Sequence, residues 1–342
     1  MVKRKKSSAL KMYKFFTSKF FVKRLTSSLI LVLVTIVFNF LLFRIMPGDP
    51  TIALIGRESR PDPQLEAKIL EEHGLNKPIH EQFIIYFQNL LKLDLGYSIG
   101  RYNGLPVMDL IFGYRLLNTM LLMGTAILIS FFLSLYLATF VASRFKSKTD
   151  LSALFISLVS YSTPVFWLGM LVIFFFFGQL HLLPLSGSPR IEEYNGDMIG
   201  WILSYLHHLI APVLSLTISF VGGWFLIARD HLLGIYQEDY IVTARAKGLS
   251  ETKVKYTHAR KNAMLPMVSI LALAMTYLAT GATLTETVFN WEGLGRLTFD
   301  ALKNHDYPLL QGLFLITAIV SVLANFVADV VYAFMDPRIK LS

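Results

Sequence analysis

Two groups of residues in this chain are spaced to do work, and neither is spaced to make or break bonds. The first lies between Glu238 and Pro266. Thr243, Ala244 and Ala246 open a small-residue helix. Gly248 can adopt a positive φ and end it. Ser250 can cap a second charged helical stretch that runs to Lys261. Pro266, behind Leu265, is placed to stop the loop's hydrogen bonding before the next apolar run. The product is a short helical knob projecting from a membrane; the plainer alternative is an ordinary polar loop. The second group sits inside apolar runs. Thr276, Thr280, Thr283 and Thr287 step by four, three and four, and Thr317, Ser321, Asn325 and Asp329 step by four throughout. Such spacing predicts one helix face. Polar groups facing lipid would be unsatisfied, so the faces must turn inward or onto a partner helix. The chemistry is then either a wet path, for which Thr276, Thr280, Thr283, Ser321 and Asn325 are the candidates, or interhelical hydrogen bonding. Asp329, near one end of its run, is expected to pair with a Lys or Arg, and Glu286 to end its run or pair with Arg296.

Enzyme chemistry finds no support. The chain carries no HExxH, GxSxG or Walker lysine motif. His207 and His208 are adjacent, so on a helix they point apart and make a poor metal pair. There is no cysteine, which excludes disulfides and thiolate metal sites.

The elements that must position these residues are membrane helices. Mean hydropathy is +0.54 and 54% of residues are hydrophobic. A hydrocarbon core of ~30 Å needs ~20 apolar residues per helix. Six runs qualify, over 25–45, 116–142, 151–177, 205–229, 263–288 and 308–334, so the expected fold is an all-α integral membrane bundle of six transmembrane helices. A β-barrel would show short alternating spans and is excluded. Ser162-Thr163-Pro164 and Gly222-Gly223 are expected kink points.

The net charge of +9 is local. Residues 1–24 hold nine Lys/Arg and no acid, and the remainder balances at 23 basic against 23 acidic residues. The excess is an arm beside the first span, not a nucleic-acid surface. That arm and the basic loops at 143–150, 229–266 and 336–342 place both ends inside by the positive-inside bias. The first run is too long for a signal-peptide core and reads as an uncleaved helix. Residues 11–24 are expected to lie as a short helix along the inner surface. The segment 46–115 is too long for an idle connection. It reads as an extracellular cap, with one charged helix after Pro63 and a second, amphipathic one from Pro78 to Leu93 that Asp94-Leu95-Gly96 closes. The cap either seals the bundle or receives a soluble protein. The remaining helical core then spans 116–342.

The 238–266 segment resembles the "EAA" loop of ABC-importer permeases. Pro47-Gly48-Asp49-Pro50, Asp94-Leu95-Gly96-Tyr97-Ser98, Thr285-Glu286-Thr287-Val288-Phe289, Gly293-Leu294-Gly295-Arg296-Leu297, Asp306-Tyr307-Pro308 and Met335-Asp336-Pro337-Arg338-Ile339 look like the peptide/nickel branch of binding-protein-dependent permeases. The similarity covers roughly 22–340. One departure is Trp291-Glu292-Gly293, where the family pattern reads Trp-Pro-Gly, which puts the local turn in doubt. The resemblance implies a non-catalytic permease subunit of the bacterial cytoplasmic membrane. Its partners would be a second homologous permease, two cytoplasmic ATPases that bind ATP and Mg, and an extracellular substrate-binding protein. This chain would bind no cofactor. The cargo would be oligopeptides or dipeptides, with nickel or metallophore chelates as the alternative. A stand-alone secondary transporter would need coupling charges in mid-membrane, and the spans hold almost none. The residues that would couple to the ATPase are Thr243, Ala244, Arg245, Ala246, Gly248, Leu249 and Ser250, with Leu265 and Pro266 bracing the loop. Arg245 and Lys247 are placed to meet an acidic ATPase surface.

Overall fold

A computed structural model describes residues 19–45 and 77–335. The basic arm before Lys19, the first half of the expected cap, and the tail after Met335 lie outside the described residues. So do the Pro47–Pro50 motif and the charged helix expected after Pro63.

The described chain is nearly all helical. Helix α1 is Lys19–Ile45, α2 is Ile79–Leu91, α3 is Val107–Phe112 and α4 is Tyr114–Ala142. Helix α5 is Lys148–Ser162, α6 is Val165–Val172 and α7 is Met198–Tyr236. Among the described residues four helical stretches are long and apolar enough to cross a bilayer: Phe21–Ile45, Val107–Ala142, Met198–Tyr236 and Tyr307–Val330. A fifth exists if Lys148–Ser162 and Val165–Gln179 count as one span bent by 102°. That bend falls at the expected Thr163-Pro164. Proline lacks the N–H, and it drives Thr163 to extended geometry at φ −81°, ψ 128°.

Three expectations need correction. Residues 19–24 continue α1 rather than forming a separate surface helix. Gly222-Gly223 does not interrupt α7, which runs unbroken through it for 39 residues. Its role is close approach: a Cβ on Gly222 would lie 2.8 Å from the Ser157 carbonyl, and one on Gly223 2.9 Å from the Tyr161 ring. The run 263–288 is not one continuous helix. It divides into α9 (Arg260–Ala274), α10 (Tyr277–Thr280) and α11 (Thr283–Val288), with Gly281 at φ +70° between the last two. Two further helices, α12 (Leu294–Lys303) and α13 (Tyr307–Met335), complete the fold.

Starts and stops follow local chemistry. Ser147 and Asp197 cap α5 and α7 by accepting backbone N–H groups, and Pro78, Pro106 and Pro164 precede α2, α3 and α6. Helix α7 organises the bundle, packing on α4, α5 and α6. At ~1.5 Å per residue its 39 residues extend roughly 58 Å, about twice a ~30 Å hydrocarbon core. Its final fifth, from Arg229 and Asp230 onward, is polar enough to stand clear of lipid. The 238–266 segment is carried on that projecting end.

Candidate functional site

The projecting segment is a helix, a glycine turn and a second helical stretch. Helix α8 (Asp239–Ala246) buries Ile241 and Ala244 against Leu232 of α7, Val254 and the Ala259–Met267 face. Burying Ile241 alone stabilises by roughly 1.5–3 kcal/mol. The opposite face, with Val242, Thr243, Arg245, Ala246 and Lys247, is exposed. Gly248 sits at φ +77°. Its N–H reaches the Arg245 carbonyl at 2.9 Å, and the Leu249 N–H reaches the Ala244 carbonyl at 3.3 Å. Ser250 then accepts the Lys253 N–H at 3.4 Å. A short turn, Glu251–Lys253, widens over Val254–Ala259 and runs into α9. Asn262 donates to the Tyr240 hydroxyl at 2.7 Å, which ties the second stretch back to α8.

Two expectations change here. Arg245 is held by Glu251 at 2.9 Å across the turn. Both side chains are half exposed, so the pair is worth only about 0–1 kcal/mol, but it orients Arg245 along the turn. Leu265 and Pro266 do not end the loop; both lie within α9. The helix accommodates Pro266 by leaving one carbonyl without its intrahelical donor.

Beneath this element lies an ion pair that sequence reasoning missed. Arg229 of α7 donates to both oxygens of Asp150 at the start of α5, at 2.6 and 2.7 Å. The Asp150 side chain is 1% exposed and that of Arg229 11%. Asp150 also accepts the Lys146 N–H at 3.0 Å. The pair fixes the end of α7 from which α8 hangs. Its partners are 79 residues apart, and each reads in isolation as a loop charge.

The polar faces are placed differently from expectation. The Gly281 break separates Thr283 from Thr276 and Thr280, so the three do not share one helix face. Thr276 donates to the Leu273 carbonyl at 2.7 Å, and its own carbonyl accepts from Ser321 at 3.4 Å. Ser321 and Thr276 are thus brought together, with Asn325 exposed one turn along α13. Beside them a groove of about 330 Å³ is lined by apolar groups, among them Leu271, Met275, Leu278, Val320, Leu323 and Val327. Asp329 pairs with Arg24 at 3.3 Å, as expected of a cation near that end.

The break has a cause that sequence spacing hid. Glu286 is fully buried. One of its oxygens accepts the Thr119 hydroxyl at 3.0 Å and the other the Arg296 backbone N–H at 2.9 Å. The expected pairing is therefore with the backbone of Arg296; its guanidinium reaches the Asn290 carbonyl instead. Gly281, Gly293 and Gly295 crowd this carboxylate so closely that a Cβ on any of them would strike it. Glu286→Gln keeps the shape but turns an amide N–H₂ towards these donors. The expected loss is about 1–3 kcal/mol for a buried donor left unpaired, read as a lower melting temperature of the purified protein. An unchanged melt would show that the carboxylate does not hold the break.

The Trp291-Glu292-Gly293 departure leaves the turn intact. Trp291 is buried and donates to the Asn118 carbonyl at 3.2 Å. Glu292 takes Arg190 in a forked pair at 2.7–3.0 Å. Burial pushes the Glu292 carboxyl up, but hydrogen bonds from Tyr114 and Arg190 and the Arg190 charge outweigh it and hold the group below its ordinary range.

The model of the "Binding-protein-dependent transport system inner membrane component" family matches residues 134–341. Its N-terminal companion matches 17–134. The chain belongs to this family. It is a membrane component of a transport system, not an enzyme, and resides in the inner membrane. The chain is 34% identical over 321 residues to a probable peptide ABC transporter permease protein, y4tP, of Sinorhizobium fredii, covering 94% of this chain and 99% of that one. It is 32% identical over 323 residues to the oligopeptide transport system permease protein AppB of Bacillus subtilis, with the same coverage. It is also 33% identical over 318 residues to the dipeptide transport system permease protein DppB of Escherichia coli, covering 88% and 93%. Among solved structures, the inward-facing MetNI methionine ABC transporter superposes with a TM-score of 0.52 at 14% identity, covering 67% of this chain and 98% of that one. The shared fold is that of an ABC importer permease.

Proposed function

We propose that this permease imports short peptides as one of two homologous permease subunits, powered by two cytoplasmic ATPases that bind ATP and Mg and supplied by an extracellular binding protein. In this reading the chain crosses the membrane six times with both ends in the cytoplasm, the broken α9–α11 region counting as one crossing. The carrying observation is the exposed α8–Gly248 element on the projecting end of α7. It is anchored by Ile241 and Val254 and bare on its other side, as a surface for an ATPase must be. The peptide-permease names of the three relatives support the cargo.

ATPase closure would push on Thr243, Ala246, Leu249 and Ser250 and move α7 and α9 through the buried Ile241 and Ala244. The path would lie between the two permeases, along Thr276, Thr283, Ser321 and Asn325. Because the chain lacks cysteine, single cysteines at those four positions can be labelled in the assembled transporter with a small water-soluble thiol reagent. Labelling at 276, 321 and 325 should change together when an ATP analogue traps the complex, whereas 283, beyond the break, should respond separately. Protection of all four in both states would place the path elsewhere. Uptake of a labelled dipeptide against a nickel chelate by the same vesicles separates the two cargo classes.

A further inference from the structure

Helix α2 carries an apolar surface that the bundle does not use. Its first face is seated on the outermost turns of α1. Phe83 and Tyr86 pack on Phe40 with ring centroids 5.2 and 5.5 Å apart, and Asn39 donates to the Tyr86 hydroxyl at 3.2 Å. With ~3.6 residues per turn, Ile84 and Leu91 stand one above the other on a second flank, beside Phe87 and with His80 as its polar residue. Glu81 and Gln88, one turn from Ile84 in either direction, border that flank, and Asn89 lies round the helix from it. Ile84 is 52% exposed, Leu91 71% and Leu93, just past the helix, 67%. Single exposed aliphatics are ordinary, but Ile84 and Leu91 line one flank with Phe87, on a helix that is itself seated on an apolar span. The end of α1 on which α2 sits exposes Phe38, Leu41, Leu42 and Ile45, the surface that a membrane-spanning helix presents to acyl chains. Arg44 lies at the same level, stacked on Phe40 at 5.4 Å, and among the described residues no carboxylate pairs with it. An amphipathic helix joined to a lipid-facing span, with a cation at headgroup height, has the composition of an interfacial helix.

We infer that α2 lies in the membrane interface, with the Ile84–Leu91–Leu93 flank among the first acyl carbons, Glu81 and Gln88 at the headgroups that border it, and Asn89 in water. The occupant of the flank is phospholipid, because the flank is continuous with the lipid-facing side of α1. The cap is thereby held down at the bilayer edge, which limits how far it can rise.

Single cysteines at Ile84, Leu91 and Asn89, all exposed positions, carry an environment-sensitive fluorophore. The full-length chain, in its assembled transporter, is reconstituted in vesicles of phosphatidylethanolamine and phosphatidylglycerol. The lipids are used with and without bromine on the acyl carbons nearest the headgroup. Quenching should be several-fold stronger at 84 and 91 than at 89, and adding the binding protein should leave it unchanged. Equal quenching at all three sites, no quenching at 84 and 91, or relief of that quenching by the binding protein would overturn the inference. The last result would make the flank a protein-docking face.

Discussion

Replacing Gly248 with valine is expected to abolish uptake while leaving the protein inserted and abundant. A Cβ at this position would meet no atom within 4 Å, so the effect cannot come from a clash. It comes from the backbone. At φ +77° a β-branched residue is an outlier, and holding it there costs roughly 1–3 kcal/mol. The turn can escape that strain by unwinding, which moves Leu249 and the Ser250 cap and tilts α8 on its anchor. Gly248→Asn should keep much of the activity, since asparagine tolerates the left-handed region. Peptide uptake by cells with matched membrane levels of each variant reads the series directly. Normal uptake by the valine form would remove this turn from the mechanism.

The second large effect is expected on stability. Asp150→Ala leaves Arg229 almost buried without its carboxylate, and breaking a buried pair in this way costs about 3–5 kcal/mol. Thermal unfolding in detergent should show a marked drop for Asp150→Ala. Much of it should return when Arg229→Met is combined with Asp150→Leu, because matched apolar groups replace a buried pair at little cost. If the single variant melts with the parent chain, the pair does not fix α7. If the double variant is stable but transports poorly, the pair serves the positioning of α8 rather than stability alone.

Local signals were readable in the sequence and tertiary ones were not. Gly248 and Ser250 were legible because a left-handed glycine and a serine cap act within four residues of themselves. The Asp329 pairing was legible because an acid at the end of an apolar run needs a cation, although Arg24 as the partner was not. Pro266 misled because a proline signals a stop locally, whereas packing on the Ala263–Met267 face holds the helix together around it. Gly222 and Gly223 misled in the opposite direction, since room for a neighbouring backbone looks the same in sequence as a hinge. The break at Gly281 was hidden inside a stretch, 263–285, with no charge and regular threonine spacing. What breaks it is the Glu286 carboxylate, gathered with Thr119 and Gly293 from distant parts of the chain. The three expected path threonines, Thr276 and Thr280 before that break and Thr283 after it, were therefore placed on one face that does not exist.

The central claim is that the exposed side of α8 meets an ATPase. The most direct measurement places a photoreactive amino acid at Thr243 and, separately, at Ala246 in the assembled transporter. The account predicts that light joins each site to an ATPase subunit, and that Gly248→Val abolishes or redirects the adduct. A transporter that retains full uptake, with both probes photolysed and no ATPase adduct from either, would contradict it.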